Sequence, residues 1–253
     1  MSGRTATITV LIAAALLVPV SGAAPLARSG PGQVALLEVY SSEGCSSCPP
    51  AEEWLTRLST RPGLWTEVVP VVFHVDYWDA LGWTDPLSAR RFTERQQAQA
   101  SAWGGEGGVY TPGFVLNGQE WRDWHRHDTA RTATPRPTGI LTIEQTGQGR
   151  FTVTFQPQAG GPPASSYTVH AALLGCGLVS NVTAGENAGR RLTHDFAVID
   201  DAEETLQPAG DGRFTRDITF SRPSTLTPPR RAIAAWVSPI GHLEPLQAAG
   251  AYL

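Results

Sequence analysis

Lysine is missing from this sequence of 253 residues, and charge of either sign is sparse. All 19 basic residues are arginine, and with 23 acidic residues the formal net charge is −4 at pH 7. No long basic run occurs, which argues against a nucleic-acid-binding surface. Charged residues make up 17% of the chain and hydrophobic residues 41%, so the composition is that of a globular protein rather than a disordered one.

Cysteine is also scarce, with three residues in the whole chain. Three are too few for a disulfide scaffold, and an odd number argues against purely structural bridging. Cys45 and Cys48 are close in sequence, whereas Cys176 lies alone between two glycines. We interpret Cys176 as a buried, inert thiol, because a lone cysteine in a strand pattern behaves as a small apolar side chain.

Long apolar runs are absent except at the N terminus. Arg4 is followed by an apolar stretch over 8–18 and by small residues at 21–23, which is the pattern of a secretory signal. The stretch is shorter than the ~20 residues of a spanning helix, so we predict cleavage after Ala23; the alternative is a retained membrane anchor. The mature protein is then expected to be periplasmic or secreted, without a membrane span, where disulfides persist.

Two patterns of secondary structure follow one another along the chain. Apolar runs at 34–40 and 68–75 predict strands buried on both faces, and an apolar stripe over 51–58 predicts a helix that begins close to Cys45. We also predict a helix from 85 to about 103, a strand at 114–116 ended by the turn dipeptide Asn117-Gly118, and a helix over 119–132.

A Pro-containing linker at 134–139 separates this half from about seven short strands with Gly and Pro between them. The predicted organisation is therefore a signal peptide at 1–23, an α/β thioredoxin-like domain at 34–134, and an all-β sandwich domain at 138–253.

The Cys45-Ser46-Ser47-Cys48 motif carries the chemistry. A Cys-x-x-Cys between a buried strand and a helix start places sulfur near unpaired N–H groups and a partial positive charge, which stabilise a thiolate. We predict that Cys45 is the exposed nucleophile with a lowered pKa and that Cys48 resolves the mixed disulfide.

A second signal is Thr111-Pro112. We predict a cis peptide bond here, packed near Cys45, with a backbone edge on which a substrate strand could lie. The alternative is an ordinary trans turn.

These segments together resemble the DUF1223 family of secreted bacterial proteins. The resemblance rests on EVYSSEGCSSCPP at 38–50, FHVDYWD at 73–79, LGWTDP at 81–86, Arg95-Gln96, VYTP at 109–112 and GENAGR at 185–190. It implies export and a thioredoxin-like fold; the activity is implied only by analogy. Compared with general thioredoxins, the chain lacks a Trp before the first cysteine and has Ser-Ser between the pair.

Three further residues are candidates for the site. Glu38 lies within an apolar strand, where burial would raise its pKa and suit it to move the proton of the inner cysteine; alternatively it pairs with an arginine. Tyr77 and Trp78 follow the second buried strand, at the sheet edge where ligands bind in α/β folds, and are candidates for a substrate groove. His74 is interpreted as a hydrogen-bonded core residue.

The leading hypothesis is thiol–disulfide exchange with protein thiols or disulfides outside the cytoplasm, with no cofactor and no metal. Two alternatives stay open. One is a non-catalytic interaction module with a structural disulfide. The other is a Cu(I) or Zn(II) protein that uses both cysteines and His74, although no second ligand pair at metal spacing occurs.

Overall fold

The computed structural model describes residues 24–104, 108–127, 136–159, 166–221 and 226–253. The described chain contains two α-helices, α1 (Pro49–Leu58) and α2 (Arg90–Ala102), and 3-10 turns at Asp79–Leu81 and Trp124–Arg126. Its strands are β1 (Ala27–Arg28), β2 (Ala35–Ser41), β3 (Val68–His74), β4 (Gly113–Leu116), β5 (Gln119–Glu120), β6 (Gly139–Gly147), β7 (Arg150–Pro157), β8 (Tyr167–Cys176), β9 (Leu178–Asn181), β10 (Arg191–His194), β11 (Ala197–Thr205), β12 (Gln207–Pro208), β13 (Phe214–Thr219), β14 (Arg230–Pro239) and β15 (Gln247–Tyr252).

The local elements around the cysteines follow the apolar pattern. β2 and β3 are the two predicted buried strands; all seven residues of each are buried, and they pair in parallel from Ala35 with Val68 to Ser41 with His74. In α1 the predicted apolar stripe faces the core, and the two prolines stand in its first turn, where an N–H would lack a partner.

The fold-class prediction is wrong. The described strands form one continuous eight-stranded sheet through both halves of the chain, in the order β15-β14-β8-β11-β3-β2-β4-β5, so the chain is predominantly β. β11 lies parallel to β3, with Ala197 opposite Val72, and the Val72 N–H donates to the carbonyl of Phe196 at 2.9 Å. β11, a strand from the second half of the chain, therefore occupies one edge of β3. In a separate α/β domain, that edge would be available to the domain's own strands.

A five-stranded sheet, β1-β6-β7-β13-β12, packs on one face of this large sheet. Along β14 the side chains alternate: Ile233, Ala235 and Val237 face the five-stranded sheet, whereas Ala234 and Trp236 belong to the core shared with β2 and β3. Two sheets thus pack face to face, as in the predicted sandwich. The larger of them, however, also contains β2, the strand that leads to the cysteine pair.

Two helix predictions also need correction. α2 begins at Arg90, because residue 88 bridges to the end of β3 and the Ala89 N–H donates to the carbonyl of His74. Within 119–132, residues 119–120 form β5, since the Asn-Gly turn returns the chain as a paired strand. Residues 128–132, with residues 134–135 of the predicted linker, lie outside the described residues.

The predicted signal at 1–23 also lies outside the described residues. Within the part that the structure describes, no helix has both the length and the apolar character needed to cross a membrane.

Phe196 lies where the two halves of the chain meet, so a substitution there tests whether the halves unfold cooperatively. Its φ of 59° is in the left-handed region, and its fully buried ring contacts Trp65 at 5.7 Å between centroids. We expect Phe196→Ala to lower the free energy of unfolding by roughly 3–5 kcal/mol, as for other buried Phe→Ala changes.

Because the sheet is continuous, far-UV circular dichroism and tryptophan fluorescence should report one shared transition for the wild type and for Phe196→Ala. Seven of the eight tryptophans lie before residue 130, so fluorescence reports mainly on the first half. Two separated transitions would contradict a single cooperative unit.

Candidate functional site

The cysteine pair lies between β2 and α1, where the sequence places it. Cys45 and Cys48 are joined as a disulfide, with Cα atoms 5.5 Å apart. Cys48 is the N-cap residue of α1, and its carbonyl accepts the N–H groups of Ala51 and Glu52. The pair therefore faces the positive end of the helix dipole.

The predicted exposure of Cys45 is wrong. Cys45 is 0% exposed and Cys48 is 1% exposed, whereas Ser46 and Ser47 between them are exposed. One cause is Trp78, which packs so closely on the backbone before Cys45 that a Cβ at Gly44 would lie 2.9 Å from the Trp78 Cβ. Only glycine therefore fits at 44 without displacing this tryptophan.

Thr111 and Pro112 lie at the same place, and their peptide bond is cis, as predicted. The Thr111 carbonyl accepts the Ser47 hydroxyl at 3.3 Å, and the Thr111 hydroxyl accepts the Trp78 indole N–H at 2.8 Å. The Tyr77 hydroxyl donates to Gln96 Oε1 at 3.4 Å on α2. The structure thus brings together Cys45, Cys48, Thr111, Pro112 and Trp78, with Tyr77 adjacent to Trp78.

Glu38 has other partners. Its carboxylate accepts from Arg95 Nε at 2.7 Å, from Gln99 at 3.1 Å and from the Tyr40 hydroxyl at 3.1 Å. These contacts match the arginine-paired interpretation, and neither cysteine is among its hydrogen-bond partners in the described chain. A proton-transfer role for Glu38 stays a prediction.

A loop from the second half covers the pair. Asn187 is fully buried, and its amide Nδ2 donates to the carbonyls of Glu43 at 2.8 Å and Cys45 at 2.9 Å. The Glu186 carboxylate accepts the Ser46 N–H at 3.1 Å. The glycine-rich segment 185–190 is a loop, and it is the second cause of the burial of Cys45.

A buried polar cluster lies beside the pair, and we call it the His–acid cluster. It consists of Glu43, Glu52, His74, Asp85 and His194, all at most 6% exposed. His74 Nδ1 lies 2.6 Å from Asp85, His194 Nε2 lies 3.1 Å from Glu43, and both histidines face Glu52 at 3.6–3.7 Å. The Ser41 hydroxyl donates to Glu52 at 2.6 Å.

The histidine charges balance the buried carboxylates. Burial lowers the pKa of His194, but the contacts with Glu43 and Glu52 outweigh it and raise the pKa to about 10. Burial likewise lowers the pKa of His74, and Asp85 more than reverses this, so the pKa is raised. Burial raises the pKa of Glu52, but the facing His194 and His74 hold it below its usual range. Both imidazoles are thus favoured in the protonated form.

Sequence reasoning missed most of this cluster. Glu52 could have been found, because it lies four residues after Cys48 and so on the same side of α1. His194 and Asn187 carry no local signal; the β3–β11 pairing brings them from about 140 residues away. Cys176 is buried and unpaired, and burial raises its pKa to about 11.

The fold and the site together define a β-rich protein with a disulfide at a helix start, beside a buried His–acid cluster. The chain belongs to the family described as protein of unknown function (DUF1223), whose model matches residues 36–238. No curated protein matches the sequence.

Two solved structures are similar in fold. One is protein AGR_C_4864 from Agrobacterium tumefaciens, with a TM-score of 0.58 and 22% identity, covering 87% of this chain and 94% of that one. The other is HBP35 of Porphyromonas gingivalis, with a TM-score of 0.60 and 16% identity, covering 89% of this chain and 76% of that one.

Removing the Asn187 amide should loosen the cover over the disulfide. We expect Asn187→Ala to lower the free energy of unfolding by about 1–3 kcal/mol, because two buried carbonyls lose their donor. Reduction of the Cys45–Cys48 bond by dithiothreitol should also become faster, as followed by thiol release.

The matched control is Asn181→Ala, since Asn181 is exposed at the end of β9. Equal reduction rates in both variants and the wild type would show that the loop does not limit access.

Proposed function

We propose that this protein exchanges disulfides with thiols of partner proteins outside the cytoplasm, through Cys45 and Cys48. The observation that carries the proposal is the disulfide at the first turn of α1, with Ser47 placed between the Cys45 sulfur and the Thr111 carbonyl. The signal pattern at 1–23 supports export, and an exported pair would meet partners whose disulfides persist.

The exchange is balanced without a cofactor. A partner thiolate attacks one sulfur of the Cys45–Cys48 bond, and the other sulfur leaves as a thiolate. A second partner thiolate then attacks the mixed disulfide, so the partner dithiol is oxidised to a disulfide and the pair is reduced to two thiols. The reverse sequence reduces a partner disulfide, and the relative reduction potentials decide the direction.

Cys45 is our candidate for the sulfur that carries the mixed disulfide. Its Sγ lies 3.2 Å from the Ser47 hydroxyl, whose proton can turn from the Thr111 carbonyl to a thiolate once the bond is broken. A hydrogen bond to the charged form favours that form, so Ser47 supports the helix start in lowering the thiol pKa.

The binding surface would consist of Ser46, Ser47, Thr111, Pro112 and the Tyr77–Trp78 pair. Ser46 and Ser47 are exposed and the other four are half-buried, so a partner segment can reach this surface. Since both sulfurs are covered, binding must also displace the Glu186–Asn187 contacts or the serine loop before the sulfurs meet.

That same burial favours a second candidate function. A disulfide that solvent does not reach is typical of a structural bridge, which would make the protein a non-catalytic interaction module. The two candidates differ in one property: only an exchanging pair forms mixed disulfides with partners.

Trapping variants separate these functions. In Cys48→Ser the mixed disulfide on Cys45 cannot be resolved. Covalent adducts should therefore accumulate when this variant meets an unfolded secretory protein whose thiols have first been converted to activated mixed disulfides. In Cys45→Ser few adducts should form. The measurement is non-reducing electrophoresis with mass spectrometry of the adduct.

Cys176→Ser is the control, because this thiol is buried and apart from the pair. No adduct in Cys48→Ser, with the fold intact by circular dichroism, would leave the interaction module as the better function. Adducts in Cys45→Ser alone would exchange the roles of the two cysteines.

The serine pair offers a finer test of the thiolate. In the reduced protein, Ser47→Ala should raise the pKa of the Cys45 thiol and slow its alkylation at neutral pH on the order of tenfold, because a charge-assisted hydrogen bond is lost. Ser46→Ala is the matched neighbour, since its exposed side chain has no such contact. Equal alkylation rates in the two variants, read by iodoacetamide labelling, would remove Ser47 from the mechanism.

A further inference from the structure

Five buried side-chain atoms of the His–acid cluster have no hydrogen-bond partner. Two of them, Glu43 Oε1 and His194 Nε2, lie 3.1 Å apart as an ion pair, and the other three are Glu52 Oε2, His74 Nε2 and His194 Nδ1. His74 Nε2 lies 3.7 Å from Glu52 Oε1 and His194 Nδ1 lies 3.6 Å from Glu52 Oε2, and one donor atom from each of the three residues lies within 4.8 Å of the others. A buried polar atom without a partner is costly, so three around one point need an explanation.

The separations suit a metal ion. In a tetrahedral site with bonds of about 2.0–2.1 Å, donor atoms lie roughly 3.3 Å apart. The two contacts with Glu52 are slightly longer than that distance. They are too long for hydrogen bonds.

The outer contacts of the three residues are those of metal ligands. His74 holds its other ring nitrogen against Asp85 at 2.6 Å, and His194 holds its other nitrogen 3.1 Å from Glu43, as an ion-pair contact. Glu52 Oε2, which has no hydrogen-bond partner, faces His194, whereas Glu52 Oε1 accepts the Ser41 hydroxyl and faces His74. A carboxylate behind each ligating histidine fixes the ring and its tautomer, and this arrangement recurs around zinc.

We propose that Glu52, His74 and His194 form a binding site for a divalent first-row transition metal ion, for which Zn²⁺ is the probe. Two imidazoles and one carboxylate are ligands that Zn²⁺ accepts, and they leave one position for water or substrate. The ion binds neutral imidazoles and so replaces protons rather than adding to the charge of the cluster.

A cavity lies on the Glu52 side of the cluster. Its volume is about 330 Å³, and its wall includes Glu52, Pro49, Glu53, Thr56 and residues 190–193, of which 190 and 191 are arginines. His194 follows this last segment directly, so we expect an ion to approach from this side.

This site differs from a cysteine-based metal site and goes beyond the proposed exchange reaction. Its donors come from α1, β3 and β10, and neither sulfur is among them. It is therefore expected in the oxidised protein, where Cys45 and Cys48 have no thiolate to offer.

The experiment uses the mature full chain, oxidised, stripped with a chelator and titrated with Zn²⁺ by calorimetry. We expect one Zn²⁺ per chain and a higher melting temperature on binding. Glu52→Gln and His194→Gln should each weaken binding by more than the roughly 10–100-fold that loss of an outer-shell partner costs. Asp85→Asn should fall within that range.

The chain supplies matched controls. Glu94→Gln changes an exposed glutamate on α2, and His242→Gln changes an exposed histidine; both should bind as the wild type does. The double variant Cys45→Ser/Cys48→Ser should also retain its Zn²⁺. Because it cannot exchange disulfides, it separates failure of the metal site from failure of the exchange function.

A measurement on the wild type keeps the proposal testable even when a variant does not fold. Co²⁺ in the same site should give visible d–d absorption without the near-ultraviolet band of thiolate ligation. No stoichiometric binding by the folded wild type would overturn the site. So would a thiolate band, or binding that is lost in the cysteine variant and kept in Glu52→Gln.

Discussion

The parallel contact between β3 and β11 is the constraint on which the rest of the structure depends. The Val72 N–H donates to the Phe196 carbonyl, and this pairing joins segments more than 120 residues apart in the sequence. It makes one sheet of the two halves, and it brings β10 and the 185–190 loop to the carboxyl end of β2. The covering of the cysteines and the completion of the His–acid cluster both follow from it.

The disulfide and the His–acid cluster share one short stretch of chain. Glu43 stands two residues before Cys45, and Glu52 stands four residues after Cys48 on the same helix. The cluster therefore sets the electrostatic surroundings of the helix start. It holds three carboxylates against two histidines, whereas the dipole of α1 favours negative charge at the same end. Because water is excluded from both the disulfide and the His–acid cluster, a change in the charge of one changes the electrostatic potential at the other.

Local signals in the sequence were sufficient for the parts whose partners are near in sequence. The strands over 34–40 and 68–75, the helix stripe after Cys48, and the cis bond before Pro112 were predicted and are present. The errors arose where contacts are remote. The prediction that Cys45 is exposed did not include the contacts of the loop that contains Asn187. The prediction of separate domains did not include the pairing of β11 with β3. Within the helix predicted over 119–132, residues 119–120 instead form a strand of the hairpin that Asn117-Gly118 requires.

By itself the sequence determined the buried strands, the cysteine pair at a helix start and the signal pattern, because each of these is written in short-range periodicity and turn residues. The tertiary structure alone decided that the sheet is continuous, that both sulfurs are covered, and that Glu52, His74 and His194 meet. Strand pairing between distant segments depends on which edge each strand can reach in the folded chain. An apolar strand can pair with several other strands, so its hydrophobic pattern does not specify which strand becomes its neighbour.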